Sequence, residues 1–259
     1  MVESDPMAPA PSKEIEQRNC LMQPIILSRP AWIDAIRTEI EKLPNDPSGT
    51  MSWVYWAVHN PWSRAGRFVD SWRILDICQE TDLVSSLKIF LGPNIILYDT
   101  CITPDPTLQE VGSSEWRQDS MFCPVSGERG AVARFLLHGT AKFQSVSNSS
   151  AAHAAPINEV ALQAGDIVIH DARMPYRLKP TLASTEQIEF VVRYFPSTSN
   201  FLRDPGSDKH RKLTEAAPLR NYAKVPLWLI AGRDLADNDF VTGFDTQVAR
   251  WINRPPKGS

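Results

Sequence analysis

The sequence predicts a mainly β protein in which helices from the N-terminal half pack on an antiparallel barrel or sandwich. Two helical patterns come first, and after Gly92 they give way to short β-rich runs separated by Pro, Gly and Ser. Helices grouped ahead of a series of strands are typical of helices packed against an antiparallel sheet. Because no internal repeat or linker divides the pattern, we predict a disordered tail over 1–14, rich in Pro and Ala, and a single domain over 15–259.

The two helices are predicted from apolar residues that recur at spacings of three and four. The first covers 32–43, with Pro30 in its first turn. The second is predicted to begin at Thr81, as the capping residue, and to close at Gly92. Between them lies an aromatic run, 51–72, which we interpret either as core or as the wall of a ligand pocket.

The later strands are predicted from short runs of β-branched and aromatic residues. In the last run Ile188, Phe190, Val192 and Tyr194 alternate with other residues, so these four side chains are expected to share one face of a strand. Four strands are predicted in this way: 95–102, 131–137, 165–170 and 188–195.

Composition excludes several classes of protein. The 259 residues include 27 basic and 30 acidic side chains, a balance that offers no attraction for nucleic acid. No apolar run approaches the roughly 18 residues that a membrane helix needs. Four Cys without C-x-x-C spacing argue against disulfides and structural zinc, and predict a reduced, cytoplasmic setting. We therefore expect a small-molecule substrate, and neither nucleic acid nor a membrane as a partner.

Several segments, taken in order, resemble a known family. They are NCLMQPIILSRPAWIDAIRTEIEKL, SWRILDICQETDLVSSLKIFLGPNIILYDT, EWRQDSMFCPV, and AGDIVIHDARMPYR followed by EFVVRYFP. On these segments nearly the whole chain resembles the phytanoyl-CoA dioxygenase family of iron(II)/2-oxoglutarate oxygenases. The resemblance implies a double-stranded β-helix, the jelly-roll or cupin-like barrel, and a role in small-molecule and secondary metabolism.

The residues that carry the family's chemistry are mostly replaced. Such enzymes hold iron through two His and one carboxylate, and an Arg binds the far carboxylate of the co-substrate. At the matching positions this chain has Arg117 for the first His, Asp119 for the carboxylate, Tyr176 for the second His and Gln187 for the Arg. We therefore expect no metal site and no cofactor, with neither iron nor 2-oxoglutarate bound. Arg117 is expected to neutralise Asp119 directly.

One hypothesis is a non-redox isomerase or cyclase built on the oxygenase scaffold. In it Tyr176 acts as acid or base, Asp119 is its partner, and Arg117 stabilises an oxyanion or enolate. The side chains expected to line the substrate pocket are Trp56, Tyr98, Trp116 and Gln187.

Two alternatives stay open. The chain can be a non-catalytic subunit, a pseudo-oxygenase that forms a homo- or heterodimer with an active paralogous oxygenase. It can also be an active iron(II)/2-oxoglutarate dioxygenase with rearranged ligands, in which His170 joins Asp119 on the metal and Arg134 or Arg193 holds the co-substrate.

Overall fold

A computed structural model of the chain describes residues 23–44, 54–104, 116–127, 129–146, 157–181, 187–216 and 222–240. The tail predicted over 1–14 lies outside these ranges. The assignment of the rest to a single domain stays a prediction.

The described residues include ten strands in two antiparallel sheets. Their bounds are β1 (Ile25–Leu27), β2 (Tyr55–Trp56), β3 (Ile95–Pro104), β4 (Ala131–His138), β5 (Thr140–Val146), β6 (Ile157–Gln163), β7 (Ile167–Asp171), β8 (Tyr176–Pro180), β9 (Ile188–Pro196) and β10 (Trp228–Ala231). The larger sheet has the order β1-β7-β4-β9-β3-β10, with β2 also paired to β3, and the smaller sheet has the order β6-β5-β8. The four strands predicted from the sequence are confirmed as β3, β4, β7 and β9.

Four helices accompany the sheets: α1 (Ile33–Ile40), α2 (Ser71–Ile77), α3 (Thr81–Leu91) and α4 (Asp208–Ala216). Both predicted helices are confirmed as α1 and α3, whereas α2 was missed. The capping prediction at Thr81 was wrong, because Thr81 is the first helical residue and no side-chain bond caps this helix. The cap that does form belongs to α2, where the Asp70 carboxylate accepts hydrogen bonds from the backbone N–H groups of Trp72 and Arg73.

The two faces of β9 have different surroundings, and this difference positions the site. Phe190, Val192 and Tyr194 lie in the core that the larger sheet shares with the helices, as the period of two predicts. The opposite face, which carries Glu189 and Arg193, looks into the space between the two sheets. Because side chains alternate along a strand, the charged side chains of β9 lie in the barrel interior, on the face opposite to its apolar residues.

The predicted class, a mainly β protein with helices packed on one sheet, is confirmed. No helix in the described part of the chain combines the length and the apolar character that crossing a bilayer requires.

We expect Asp70→Ala to lower the free energy of unfolding by about 1 kcal/mol, because two N–H groups in the first turn of α2 lose their acceptor. Thr81→Ala, at the start of α3, is the matched control and should change it by less than about 0.5 kcal/mol. Urea titrations of both variants measure the difference. Equal losses would contradict the assignment of the cap to Asp70.

Candidate functional site

The site is organised around Asp119, the one residue of the family's iron motif that the sequence keeps. Asp119 begins a short 3-10 helix, Asp119–Phe122, and its side chain is 1% exposed. Its Oδ2 accepts from Nη2 of Arg134 at 2.5 Å, and its Oδ1 accepts from Nη2 of Arg193 at 3.1 Å. Burial alone would raise the pKa of Asp119, but the two guanidinium groups outweigh burial and hold this pKa well below its usual range.

Arg134, on β4, is the centre of the arrangement. Besides Asp119, its guanidinium donates to the Tyr176 hydroxyl, to Oε2 of Glu189 at 3.1 Å and to Nε2 of His170 at 3.4 Å. The guanidinium carbon also lies 4.3 Å from the centre of the Tyr176 ring. One cation therefore joins groups from β7, β8, β9 and the 3-10 helix.

Arg193, on β9, is the second cation. Its Nη1 donates to Oδ2 of Asp99 at 3.0 Å and lies 3.4 Å from Sγ of Cys101. Through Asp119 the two guanidinium groups share one carboxylate. We call the whole set the ion cluster, and it consists of Asp99, Asp119, Arg134, His170, Tyr176, Glu189 and Arg193.

Two carboxyl groups of the ion cluster contact the same guanidinium, but their pKa values are shifted in opposite directions. The pKa of Asp119 is lowered, as described above. The pKa of Glu189 is raised, because its burial is only partly offset by Arg134 and because the charge of Asp119 opposes its ionisation. Burial likewise raises the pKa of Tyr176. The cluster thus contains one carboxylate that stays ionised and one carboxyl group that holds its proton to higher pH.

The prediction that Arg117 neutralises Asp119 is corrected, since the ion pairs of Asp119 go to Arg134 and Arg193. Arg117 is instead fixed through its backbone, which exchanges two hydrogen bonds of 2.8 and 2.9 Å with the backbone of Tyr176. Strand alternation ends at Asp119, where the 3-10 helix begins, so residues two apart no longer share a strand face. The positive charge of Arg117 acts on Glu189, whose pKa it lowers slightly against the effect of burial.

Two residues predicted to line the pocket lie elsewhere. Because Asp99 faces the ion cluster, its neighbour Tyr98 points to the other side of β3, where its hydroxyl donates to the carbonyl of Phe122 at 3.0 Å. The Gln187 side chain donates to the carbonyl of Thr140 at 2.7 Å and so ties the start of β9 to β5. The structure does not bring either residue into the ion cluster.

The other two predicted lining residues differ from each other. Trp116 lies beneath the guanidinium of Arg177, whose carbon is 4.6 Å from the ring centre. Trp56 pairs with Cys101 across β2 and β3 and therefore shares its face of the sheet. It packs against a small apolar cluster in the barrel interior. That Trp56 lines a substrate pocket stays a prediction.

Glu189 is the interior residue that sequence reasoning missed. In the run Ile188–Pro196 it is a charged residue on the strand face opposite to the apolar one, and its side chain is 3% exposed. Two charges spaced by four on one strand, at Glu189 and Arg193, were the available signal. Arg134 and Arg193 had been considered as clamps for an anionic co-substrate, but their donors go to carboxylates of the chain itself.

The described side chains do not reproduce the family's metal-binding set. Among them no three His, Cys, Asp or Glu residues come together in a group that could hold a metal ion. The nearest approach is between Oδ2 of Asp119 and Nε2 of His170, which are 3.9 Å apart. Arg134 contacts both of these atoms, and Tyr176 takes the position of the second His.

Comparison with known proteins shows the fold. No family model and no curated protein matches the sequence. The solved structure titled CytC3 with Fe(II) and alpha-ketoglutarate is 15% identical, with a TM-score of 0.57, and the alignment covers 94% of this chain and 97% of that one. The non-heme alpha ketoglutarate dependent carbocyclase SnoK, from nogalamycin biosynthesis, is 13% identical, with a TM-score of 0.52 and coverage of 77% and 89%.

A third solved structure is the epimerase SnoN in complex with Fe3+, alpha ketoglutarate and nogalamycin RO. It is 13% identical, with a TM-score of 0.52, and the alignment covers 74% of this chain and 85% of that one. The chain therefore has the fold of the non-heme, 2-oxoglutarate-dependent enzymes, and the double-stranded β-helix implied by the family resemblance is confirmed.

The same structures contradict our prediction that the protein has no cofactor. SnoN was solved with Fe3+ and alpha ketoglutarate, and CytC3 with Fe(II) and alpha-ketoglutarate. Proteins of this fold therefore hold both groups, and three replaced motif positions do not justify a prediction that neither is bound.

We expect Arg134→Met to lower the free energy of unfolding by about 3–5 kcal/mol, because Glu189 loses its ion-pair partner while buried. Adding Glu189→Gln should recover part of this loss, since the second change removes the stranded charge. Arg177→Met, which removes a guanidinium stacked on Trp116, is the control and should cost less than about 1 kcal/mol. Urea titration measures all of these changes. If the double variant is no more stable than Arg134→Met, the ion pair is not the cause.

We also expect a pH dependence from His170, whose pKa burial and Arg134 lower to about 4. Its pKa in the unfolded chain is about 6.5, so between these values the unfolded state binds more protons and stability is lost as pH falls. The stability difference between wild type and His170→Gln should shrink by about 3 kcal/mol across this window. His138→Gln, at an exposed His, controls for the substitution. Parallel pH profiles for wild type and His170→Gln would disprove the effect.

Proposed function

We propose that this chain is an isomerase- or cyclase-type enzyme that acts on a small molecule in secondary metabolism, and that its chemical step is a proton transfer. One observation carries the proposal: Asp119 and Glu189 contact the same guanidinium, yet one pKa is lowered and the other is raised. Pairs of carboxyl groups driven apart in this way are typical of acid–base sites.

Glu189 is the proton-transfer group in this proposal. Its raised pKa makes its carboxylate a stronger base than that of an ordinary glutamate, and it faces the barrel interior. Asp119 stays ionised and holds Arg134 in place. Arg117, whose charge acts on Glu189, would stabilise the enolate oxygen that forms when the Glu189 carboxylate takes a proton from the neighbouring carbon, and the Glu189 carboxyl group then returns a proton to the substrate.

Tyr176 has a different part from the one the sequence suggested. The hydroxyl receives a hydrogen bond from Arg134, and burial raises its pKa, so it is a poor base near neutral pH. Its ring is stacked on Phe143, with centres 5.7 Å apart and planes 8° from parallel. We therefore assign Tyr176 to positioning Arg134.

The reaction class has support from proteins of the same fold. SnoN is an alpha ketoglutarate dependent epimerase and SnoK an alpha ketoglutarate dependent carbocyclase, both from nogalamycin biosynthesis. Epimerisation leaves the composition of the substrate unchanged, as a proton transfer does, whereas closing a ring by a new carbon–carbon bond removes two hydrogens. Of these two outcomes, epimerisation is the one that supports the proposed proton transfer.

We expect Glu189→Gln to lower the rate of conversion by about 100- to 10,000-fold, because the amide cannot take or give the proton. Small-molecule extract from a host strain lacking this gene is incubated with the purified protein in D2O, with iron(II) and 2-oxoglutarate in every assay. Mass spectrometry then follows a metabolite that turns into an isomer carrying solvent deuterium. The matched control is Glu159→Gln, at an exposed carboxylate of β6, which should leave the rate unchanged.

Two results would overturn this function. One is a product formed in step with oxidation of 2-oxoglutarate to succinate, which would assign the chemistry to an oxidation. The other is an undiminished rate with Glu189→Gln.

A non-catalytic subunit is the second candidate. It is favoured by the closure of the ion cluster, in which both oxygens of Asp119 and three nitrogens of Arg134 are already bonded to neighbours. In this case the chain forms a homo- or heterodimer with an active paralogous oxygenase. The same extract should then be converted only when that paralogue is added, and Glu189→Gln should not affect the rate.

The cytoplasmic setting also remains a proposal. It rests on Cys78, Cys101 and Cys123, which are buried and are not joined in disulfides in the described structure.

A further inference from the structure

Two buried hydroxyl groups have no hydrogen-bond partner among the described residues. They are Oγ of Ser145, on β5, and Oγ1 of Thr103, on β3. Ser145 is 1% exposed. Burying a hydroxyl group without a hydrogen-bond partner lowers the stability of the folded protein by about 1–3 kcal/mol. Such a hydroxyl group therefore calls for a partner outside the chain, such as a ligand or an ordered water.

Both hydroxyl groups face the ion cluster. Ser145 lies directly across from Tyr176 in the smaller sheet, and Thr103 lies directly across from Glu189 in the larger sheet. Residues directly opposite each other in an antiparallel pair project to the same face. Tyr176 and Glu189 both contact Arg134, so each hydroxyl group lies beside a residue of the ion cluster, one in each sheet.

An anionic ligand would compete with acidic side chains of the chain itself for the two guanidinium groups of the ion cluster. Nε, Nη1 and Nη2 of Arg134 all donate to groups of the chain, and so do the same three atoms of Arg193. Three acidic residues form ion pairs with the two guanidinium groups: Asp99, Asp119 and Glu189. A carboxylate or phosphate would have to displace one of these acidic side chains, whereas a neutral ligand would not.

One wall of this interior is apolar and made of small side chains. Trp56 projects into it from β2, opposite Cys101 and two residues along β3 from Thr103. The side chains that Trp56 packs against there are Cys101, Val132, Ala172 and Val191. Such a wall suits an apolar carbon skeleton.

We propose that the barrel interior binds a neutral molecule with an apolar carbon skeleton and two oxygen functions, hydroxyl or carbonyl, which the hydroxyl groups of Ser145 and Thr103 recognise. This inference rests on the proposed function and names the substrate class of that site. The ligand contacts the ion cluster without entering it, and this places a carbon of the ligand beside Glu189.

The test uses α-tetralone and α-tetralol as neutral probes, and a carboxylate of the same ring system as the charged counterpart. Dissociation constants are measured by NMR titration and by the shift in melting temperature of the full-length protein. We expect the neutral probes to bind at least about tenfold more tightly than the carboxylate. Ser145→Ala and Thr103→Val should each weaken the neutral probes several-fold.

Ser71→Ala is the matched control, because the Ser71 hydroxyl is buried but already donates to the carbonyl of Val58 at 2.8 Å. We expect it to lower the melting temperature of the free protein while keeping the shift that the probe causes. Ser145→Ala should do the reverse: it should leave the melting temperature of the free protein unchanged or raise it, and reduce the probe's shift. These opposite patterns separate a binding hydroxyl from a structural one.

Three results would overturn the proposal: no binding of the neutral probes, equal binding of the carboxylate, or unchanged affinity in both Ser145→Ala and Thr103→Val. In the first case the two hydroxyl groups serve only ordered water. Binding is measured without turnover, so its outcome is independent of the deuterium assay. Intact binding with no proton transfer would overturn the function alone.

Discussion

The structure depends on one guanidinium group. Arg134 lies inside the barrel, where a charge without a partner would be very unfavourable, and its partners come from both sheets and from the 3-10 helix between them. Tyr176 belongs to the smaller sheet and Glu189 to the larger one. Asp119 belongs to the segment between β3 and β4, two strands of the larger sheet. The hydrogen bonds and ion pairs of Arg134 therefore fix how the two sheets and this segment are placed relative to each other. They also create the environment in which the pKa of Asp119 is lowered and that of Glu189 is raised.

The opposite pKa shifts of Asp119 and Glu189 follow from the positions of the two carboxyl groups, because both are ordinary carboxylic acids. Asp119 meets two guanidinium groups and stays ionised, whereas Glu189 is equally buried, shares one of those cations and has Asp119 nearby. In a low-dielectric interior these differences matter more than at a surface. In the enzyme proposal a ligand reaches Glu189 inside the barrel, whereas in the subunit proposal the ion cluster stays closed. The enzyme and subunit proposals differ on whether Glu189 is used in that way.

The sequence predicts the parts of the fold that depend on local periodicity. Ile188, Phe190 and Val192 alternate with a period of two, and the strand that contains them was found with almost its true bounds. The helix Ser71–Ile77 was missed because its apolar residues merge with the aromatic run before it. A short helix of this kind is set by its cap and its packing rather than by a long periodic stripe.

The site is harder to predict because its partners are distant in sequence. Arg117 was chosen as the partner of Asp119 because it is two residues away, yet the true partners are 15 and 74 residues away. The family motif identifies which positions have been replaced, and two of the residues at the motif positions, Asp119 and Tyr176, contact Arg134. It cannot show which other charges the strands bring to that point. The chemistry of the site depends on all of these charges together. A replaced motif residue therefore shows only that a metal ligand is missing. The groups that take its place become visible only where the strands bring Arg134, Glu189 and Asp119 together.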